Sequence, residues 1–249
     1  MYKIKVFSGL DERKSQPVIR IVDNGSEDDI LMDEKDIEAV APALSDDGRD
    51  GEAQIPDVQK SLYDLVQSDM DELIEAPQSD SDDYLKRYKE KLDSHRGYVR
   101  EAFDLMDRYM PGLIEEYGVN GLMLSTRIDN HDMSKYRIQE FPHYARHYFG
   151  TQTIESERDY MGARLHHIHH NPHHWHYWCY PVKGQVLAVE MENGYMLEMI
   201  CDWMSFGLAE GNILEVLDFY KNNSGNMYMA SKTRADVESI LARIGKVFR

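Results

Sequence analysis

Histidine is the residue type through which this sequence speaks. Ten of its 11 histidines fall between His131 and His176, and the eleventh, His95, stands apart. His95 lies on a stripe Tyr88, Leu92, His95, Val99, Ala102, Met106, Met110, spaced in the three- and four-residue steps of a helix. Asp202 also falls on an apolar helical face, among Met199, Trp203 and Phe206. A buried unpaired carboxylate costs several kcal/mol unless a charge or donor meets it. Two polar groups buried on two helices point to a shared partner, and a divalent cation turns both penalties into ligation. Between them stands His131-Asp132-Met133-Ser134-Lys135, whose adjacent imidazole and carboxylate can ligate one ion at an irregular helix end. Lys135, one turn on, can aim its ammonium at the same cavity. The densest run is Ala163 to Trp178, with His166, His167, His169, His170, His173, His174 and His176 interleaved with Trp175, Tyr177 and Trp178. The aromatic residues argue against a solvated histidine tail. Ala163, His167 and Asn171 share one helical stripe, and Pro172 suits the start of a new turn.

The elements that must position these residues read as two unequal parts. Residues 1–80 are acidic; MYKIKVF and PVIRIV alternate as strands do, and a weak helix fits Val58–Ile74. Asp/Gly/Ser-rich stretches around Asp23–Glu27, Ser45–Gly48 and Ser79–Asp82 read as turns or linkers. This part is expected to be a flexible acidic segment or a small β-containing unit, with a protein partner as one use for it. Residues 83–249 are expected to be mainly α, with helices from Asp82 or Asp83 to about Met110, then near Leu113–Tyr117, Gly121–Asn130, Phe141–Phe149 and Glu155–Asn171. Further helices are expected from Asn193 as cap, over about Asn212–Lys221, and over Thr233–Val247 with Thr233 as N-cap. Gln185–Val189 is the one strand-like piece in this half.

The order His95, then His131-Asp132 with Lys135 three residues on, then distant Asp202, resembles the HD superfamily of metal-dependent phosphohydrolases over about residues 84–220. The strings HDxSK, NPHHWxYW and EMxxDW together are similar to a group of HD-related bacterial and phage proteins, for which the likeness implies a fold and no substrate. The resemblance implies an HD-type helical bundle and a metal held by His95, His131, Asp132 and Asp202. It makes His167 the best ligand for a second metal, with His174 or His170 next, although the family's second-metal histidines are spaced more widely. One or two ions per chain are expected, and mixed nitrogen and oxygen donors suit Mn, Fe, Co, Ni or Zn. In such a site Asp132 and Lys135 are the catalytic candidates. Lys135, Asn171, Trp175 and Arg164 are the candidates for holding substrate, and Glu140 reads as a helix-start residue.

The net charge of −17 constrains the substrate; roughly −13 of it lies in the first 94 residues. Duplex nucleic acid gains affinity mainly from Lys and Arg on phosphates, so it is disfavoured, whereas a small phosphorylated molecule can be governed by the metal's local field. Only Cys179 and Cys201 are present, which suits a reducing cytoplasm. No apolar run approaches a membrane span, and the first residues carry no secretory h-region. P-loop, nucleophile-elbow, dinucleotide-fingerprint and H-E-x-x-H strings are all absent. The expectation is a cytoplasmic, metal-activated hydrolase of a small phosphate ester such as a nucleotide, with homodimerisation open. A metal-stabilised binding module without catalysis is the alternative, and a di-iron oxygenase of the same fold is a third reading.

Overall fold

The computed structural model describes residues 83–249 in full and the backbone of three strands before them. The chain divides into two units, Met1–Gln78 and Ser79–Arg249. In the first, β1 (Lys3–Phe7), β2 (Val18–Asp23) and β3 (Ser26–Leu31) form an antiparallel sheet in that order. Val18 pairs with Leu31 and Asp23 with Ser26. β1 and β2 are the segments whose alternation predicts strands; β3 falls in sequence that reads as an acidic turn. The helix expected over Val58–Ile74 lies outside the described residues.

The second unit is mainly helical. Its elements are α1 (Asp83–Tyr109), α2 (Leu113–Glu116), α3 (Gly121–Asp129), α4 (Phe141–Phe149), α5 (Ile154–His170), α6 (Asn193–Ala209), α7 (Glu215–Asn223) and α8 (Ser231–Val247). A small hairpin of β4 (Cys179–Val182) and β5 (Gln185–Ala188) precedes α6. Among the described residues, no helix is long and apolar enough to cross a membrane.

α6 is the centre of the bundle. Its sequence is apolar on every side, and such a helix must be surrounded. Thirteen of its 17 residues are buried, from Gly194 to Gly207. α1 packs along it, contributing Val99, Ala102, Phe103 and Met106 to the core. α3 adds Leu124 and Ile128, α7 adds Val216, and α8 adds Val237, Ile240, Leu241 and Ile244. The stripe predicted on α1 is the buried one: Tyr88, Leu92, Val99, Ala102, Met106 and Met110 are all inside. On the other side α1 packs against α4, which packs against α5. A layer carrying most of the histidines is thereby laid over the α1–α6 pair.

Local capping fixes several ends. Asn120 accepts from the amides of Leu122 and Met123 to start α3, and Thr153 with Ser156 forms a capping box on α5. Two expected caps are corrected. α6 is preceded by Glu192, and Asn193 sits inside the helix with its amide nitrogen donating to the Tyr117 carbonyl. α8 begins at Ser231; Thr233 lies within it and accepts from the Met191 amide, a tertiary contact in place of a cap. The strand expected at Gln185–Val189 ends at Ala188 and pairs with β4, which the sequence does not announce. Pro181 is tolerated in β4 because a two-stranded sheet has only edges.

Candidate metal centre

Five stretches of chain converge on one buried polar cluster. α1 supplies His95, and the loop after α3 supplies His131 and Asp132. The C-terminal turns of α5 supply His167, the segment after it His173 and His174, and α6 supplies Asp202 with Glu198 one turn earlier on the same face.

The loop is bent for this purpose. Asp132 has φ 59, a left-handed conformation that a non-glycine residue adopts only when its surroundings enforce it. Arg96 on α1 is part of that enforcement. Its Nε donates to the His131 carbonyl at 2.9 Å and its Nη2 to the Asp129 carbonyl, so one guanidinium grips the chain that leads into the bend. The following 3-10 turn, Met133–Tyr136, is tied to α1 by the Tyr136 hydroxyl donating to Asp93.

The result aims the two oxygens of Asp132 in different directions. Oδ2 lies 3.5 Å from His95 Nε2 and 3.6 Å from His131 Nε2; these nitrogens are in turn 3.2 and 3.6 Å from Asp202 Oδ1. Oδ1 lies 3.1 Å from His167 Nε2 and 3.6 Å from His173 Nε2, with His174 Nε2 2.8 Å from His167 Nε2. Four-coordinate and six-coordinate ligand shells of radius about 2.0–2.2 Å have ligand–ligand edges of about 2.8–3.6 Å. Position 1 is therefore bounded by His95, His131 and Asp132, with Asp202 Oδ1 beside both of its imidazoles, and position 2 by Asp132, His167, His173 and His174; the ligand atoms of His131, His173 and Asp202 also lie close together, between the two.

The tautomers decide what faces inward. His131 and His173 direct Nδ1 at Glu198 Oε1, at 2.9 and 3.1 Å, and His167 directs Nδ1 at Glu140 Oε2 at 2.9 Å. An ionised carboxylate only accepts, so each Nδ1 donates and each neutral ring turns an Nε2 lone pair toward the centre. Lone pairs then face carboxylate oxygens with nothing positive between them. In keeping with this, His131 Nε2, His173 Nε2 and Asp132 Oδ1 are buried without a hydrogen-bond partner. Such orphans are costly, and a cation at each position satisfies all three. The donor set thus fits divalent metal ions.

Without a cation, protons take that role. Burial opposes a charge on His131, but Asp132, Asp202 and Glu198 outweigh it and push its pKa up to about 10. His95 is shifted upward in the same way by Asp132 and Asp202 against burial. Burial would raise Asp132, yet Lys135, His131 and His167 hold it well below the usual carboxylate range. Burial likewise opposes Asp202, which His131 and His95 hold well below that range. Glu198, against its burial, is brought down to about 2 by His173 and His131. His174, buried beside His173 and His167, is pushed far down and is neutral.

The cluster opens on one edge. Side chains of His131, Asp132, His167 and His173 are at most 3% exposed, whereas His95, Asp202 and Lys135 show 16, 11 and 18%. Lys135 stands there with Nζ 2.6 Å from Asp132 Oδ2. Phe206, one turn beyond Asp202, lies half exposed beside the His95 ring, with ring centroids 5.3 Å apart. This edge borders position 1; at position 2 only His174 is partly exposed.

Seven expected residues, His95, His131, Asp132, Lys135, His167, His174 and Asp202, meet here. Four others do not. His170 is corrected out of the centre: its ring stacks on His166 and its Nδ1 donates to the His166 carbonyl, because α5 ends at that residue and the ring points away. Asn171 caps α5 and spends its amide on Ser134 Oγ and the His167 carbonyl, tying the loop to the ligand helix. Trp175 stacks on His176 and packs against the core. Arg164 is exposed on the outer face of α5. None of these last three is in contact with Lys135 or with the ligand atoms of Asp132.

Three residues escape the sequence reading. Glu140 is the N-cap residue of α4, as expected of a helix start, but is also fully buried and bridges His166 and His167. Glu198 lies one turn before Asp202, but nothing in its spacing announces the imidazoles of His131 and His173 that it bonds. His173 carries no local signal, since the segment after Asn171 is not helical and spacing cannot say which imidazole turns inward.

Comparison with curated proteins and with solved structures finds no match. Residues 85–243, most of the helical unit and more than half of the sequence, match the family of unknown function DUF5662, and the chain belongs to that family.

Proposed function

We propose that the protein is an HD-type metal-dependent phosphohydrolase that cleaves a small phosphate ester at a centre of two divalent ions. The observation that carries this reading is Asp132, whose two oxygens face separate sets of imidazoles while Lys135 holds an ammonium on the same carboxylate at the open edge. The charge supports two ions: Asp132, Asp202, Glu140 and Glu198 are buried with Lys135 as the cation among them. With neutral imidazoles the cluster is negative, one divalent ion leaves it negative, and two bring it close to neutrality. His95, His131, Asp132 and Asp202 would hold the first ion, and Asp132, His167, His173 and His174 the second. Their mixed nitrogen and oxygen donors suit Mn, Fe, Co, Ni or Zn.

Bound divalent ions lower the pKa of a ligated water and draw charge from a phosphoryl oxygen. The chain's own groups do the rest. His95 and Asp202, partly exposed ligands at the edge, would leave the approach to position 1 open to an ester. Lys135 is placed to meet phosphate charge and to stabilise the charge that builds up during displacement. His131, Asp132, His167 and His173 exclude water from the inner side by their burial.

The test is hydrolysis of a panel of phosphomonoesters and diesters by metal-free protein, by protein reloaded with Mn(II), Fe(II), Co(II), Ni(II) or Zn(II), and by loaded Lys135→Ala. Cleavage that follows loading, with kcat lowered in the variant, supports the reading. No cleavage by fully loaded protein, together with unfolding on chelation, sinks it in favour of a metal-stabilised binding module.

A further inference from the structure

We infer that Glu198 is a positioning residue that couples the two ion positions. The inference rests on the two-ion reading of the centre.

Glu198 is buried in the middle of α6, and a single oxygen of it, Oε1, receives Nδ1 of His131 at 2.9 Å and Nδ1 of His173 at 3.1 Å. The two rings lie with centroids 4.3 Å apart. Both rings border Asp202, but their nearest carboxylate oxygens divide them between the two positions. His131 Nε2 faces Asp132 Oδ2 and Asp202 of position 1, and His173 Nε2 faces Asp132 Oδ1 of position 2. Both Nε2 atoms are buried without a hydrogen-bond partner. One acceptor atom therefore fixes the tautomer and the angle of one ligand at each position. When an ion draws one ring inward, the shared oxygen follows, and the other ring is aligned in advance. Asp132 joins the positions from the inside; Glu198 joins them from behind.

Glu140 supplies the internal contrast. It too grips two imidazoles, but with separate oxygens: Oε2 takes His167 and Oε1 takes His166. His166 belongs to neither position and is partly exposed. Glu140 thus supports position 2 alone. Outer partners of metal-bound imidazoles typically contribute 10–100-fold to ion affinity. The amide of Glu198→Gln keeps the shape of the side chain and removes its charge, so both ions are expected to bind about 10–100-fold more weakly. Glu140→Gln is expected to weaken one of the two and leave the other.

The experiment is titration of full-length, metal-free protein with Co(II), followed by calorimetry and by the d–d absorption that reports ligand geometry. Wild type should take two ions cooperatively. Glu198→Gln should lose the cooperativity and weaken both ions with helical circular dichroism unchanged, and Glu140→Gln should weaken one. Wild-type affinity for both ions in Glu198→Gln, or weakening of only one, overturns the coupling. Should Glu198→Gln not fold, nitrogen-15 imidazole spectra of wild type during Zn(II) titration decide instead. The first equivalent should move the Nδ1 resonances of both His131 and His173, and movement of only one until the second equivalent overturns the inference. Wild-type protein that takes up no ion at all overturns the metal reading itself, a different outcome from two ions bound independently.

Discussion

Raising the pH should destabilise the metal-free protein and leave the ion-loaded protein almost untouched. The cause is the proton that stands in for a cation. His131 is buried against Asp132, Asp202 and Glu198, which hold its pKa at about 10 in the folded chain. In the unfolded chain it returns to its ordinary value near 6.5. A group whose folded pKa is raised contributes stability that is fully present below the unfolded pKa and is lost as pH rises through the folded one. For these two values the contribution is ~4 kcal/mol at pH 7 and ~1 kcal/mol at pH 9, a loss of about 2–3 kcal/mol. For a unit of this size that corresponds to a fall in Tm of roughly 5–10 °C. Ion ligation demands the neutral imidazole, so loading at pH 7 displaces the proton, and the stabilisation by metal grows with pH. The assay is thermal unfolding followed at 222 nm at pH 7 and pH 9, with chelator and with a fixed excess of Mn(II). A metal-free Tm that does not fall over this interval, or a metal-induced shift of equal size at both pH values, refutes the reasoning.

Other expectations follow from particular contacts. A methyl group at Gly207 would come within 2.3 Å of the Asn212 carbonyl oxygen, so Gly207→Ala should cost about 1–3 kcal/mol, read as a lower urea midpoint at unchanged m-value. His173→Ala should lose one ion equivalent by elemental analysis and His170→Ala none, because His173 Nε2 faces Asp132 and His170 is turned to the His166 carbonyl. Arg96→Ala should weaken ion binding without touching a ligand, since the guanidinium holds the Asp129 and His131 carbonyls that lead into the bend at Asp132; unchanged affinity in a competition titration with a chromophoric chelator would remove Arg96 from the account.

The helical period made the bundle legible, and it did so where burial is continuous. The α1 stripe from Tyr88 to Met110 is inside as spaced, and the two polar residues that break apolar faces, His95 and Asp202, are the ones that meet. The polar exceptions carried the information because burial of such groups is costly and needs a partner. Periodicity fails where the chain stops being helical. Beyond Asn171 the run of histidines turns through irregular backbone, so the helical stripe selects His167, which reaches the cluster, cannot find His173, and gives no ground for rejecting His170. Glu140 and Glu198 were hidden for another reason. Their roles exist through imidazoles 26 and 27 residues away for Glu140 and 67 and 25 residues away for Glu198, and a lone glutamate at a helix start or within a helix has no spacing that announces a distant imidazole. Thr233 failed as a cap in the same manner, its hydroxyl being drawn to the Met191 amide by tertiary packing.

The central claim is that Asp132 and the histidines around it hold divalent ions. It is tested most directly by elemental analysis of purified wild-type protein beside Asp132→Ala, each as isolated and after incubation with Mn(II), Fe(II), Co(II), Ni(II) and Zn(II). The account predicts about two equivalents of ion per wild-type chain and loss of both in the variant, with helix content retained, because Asp132 faces both positions. Wild-type protein that neither carries nor accepts an ion would contradict it.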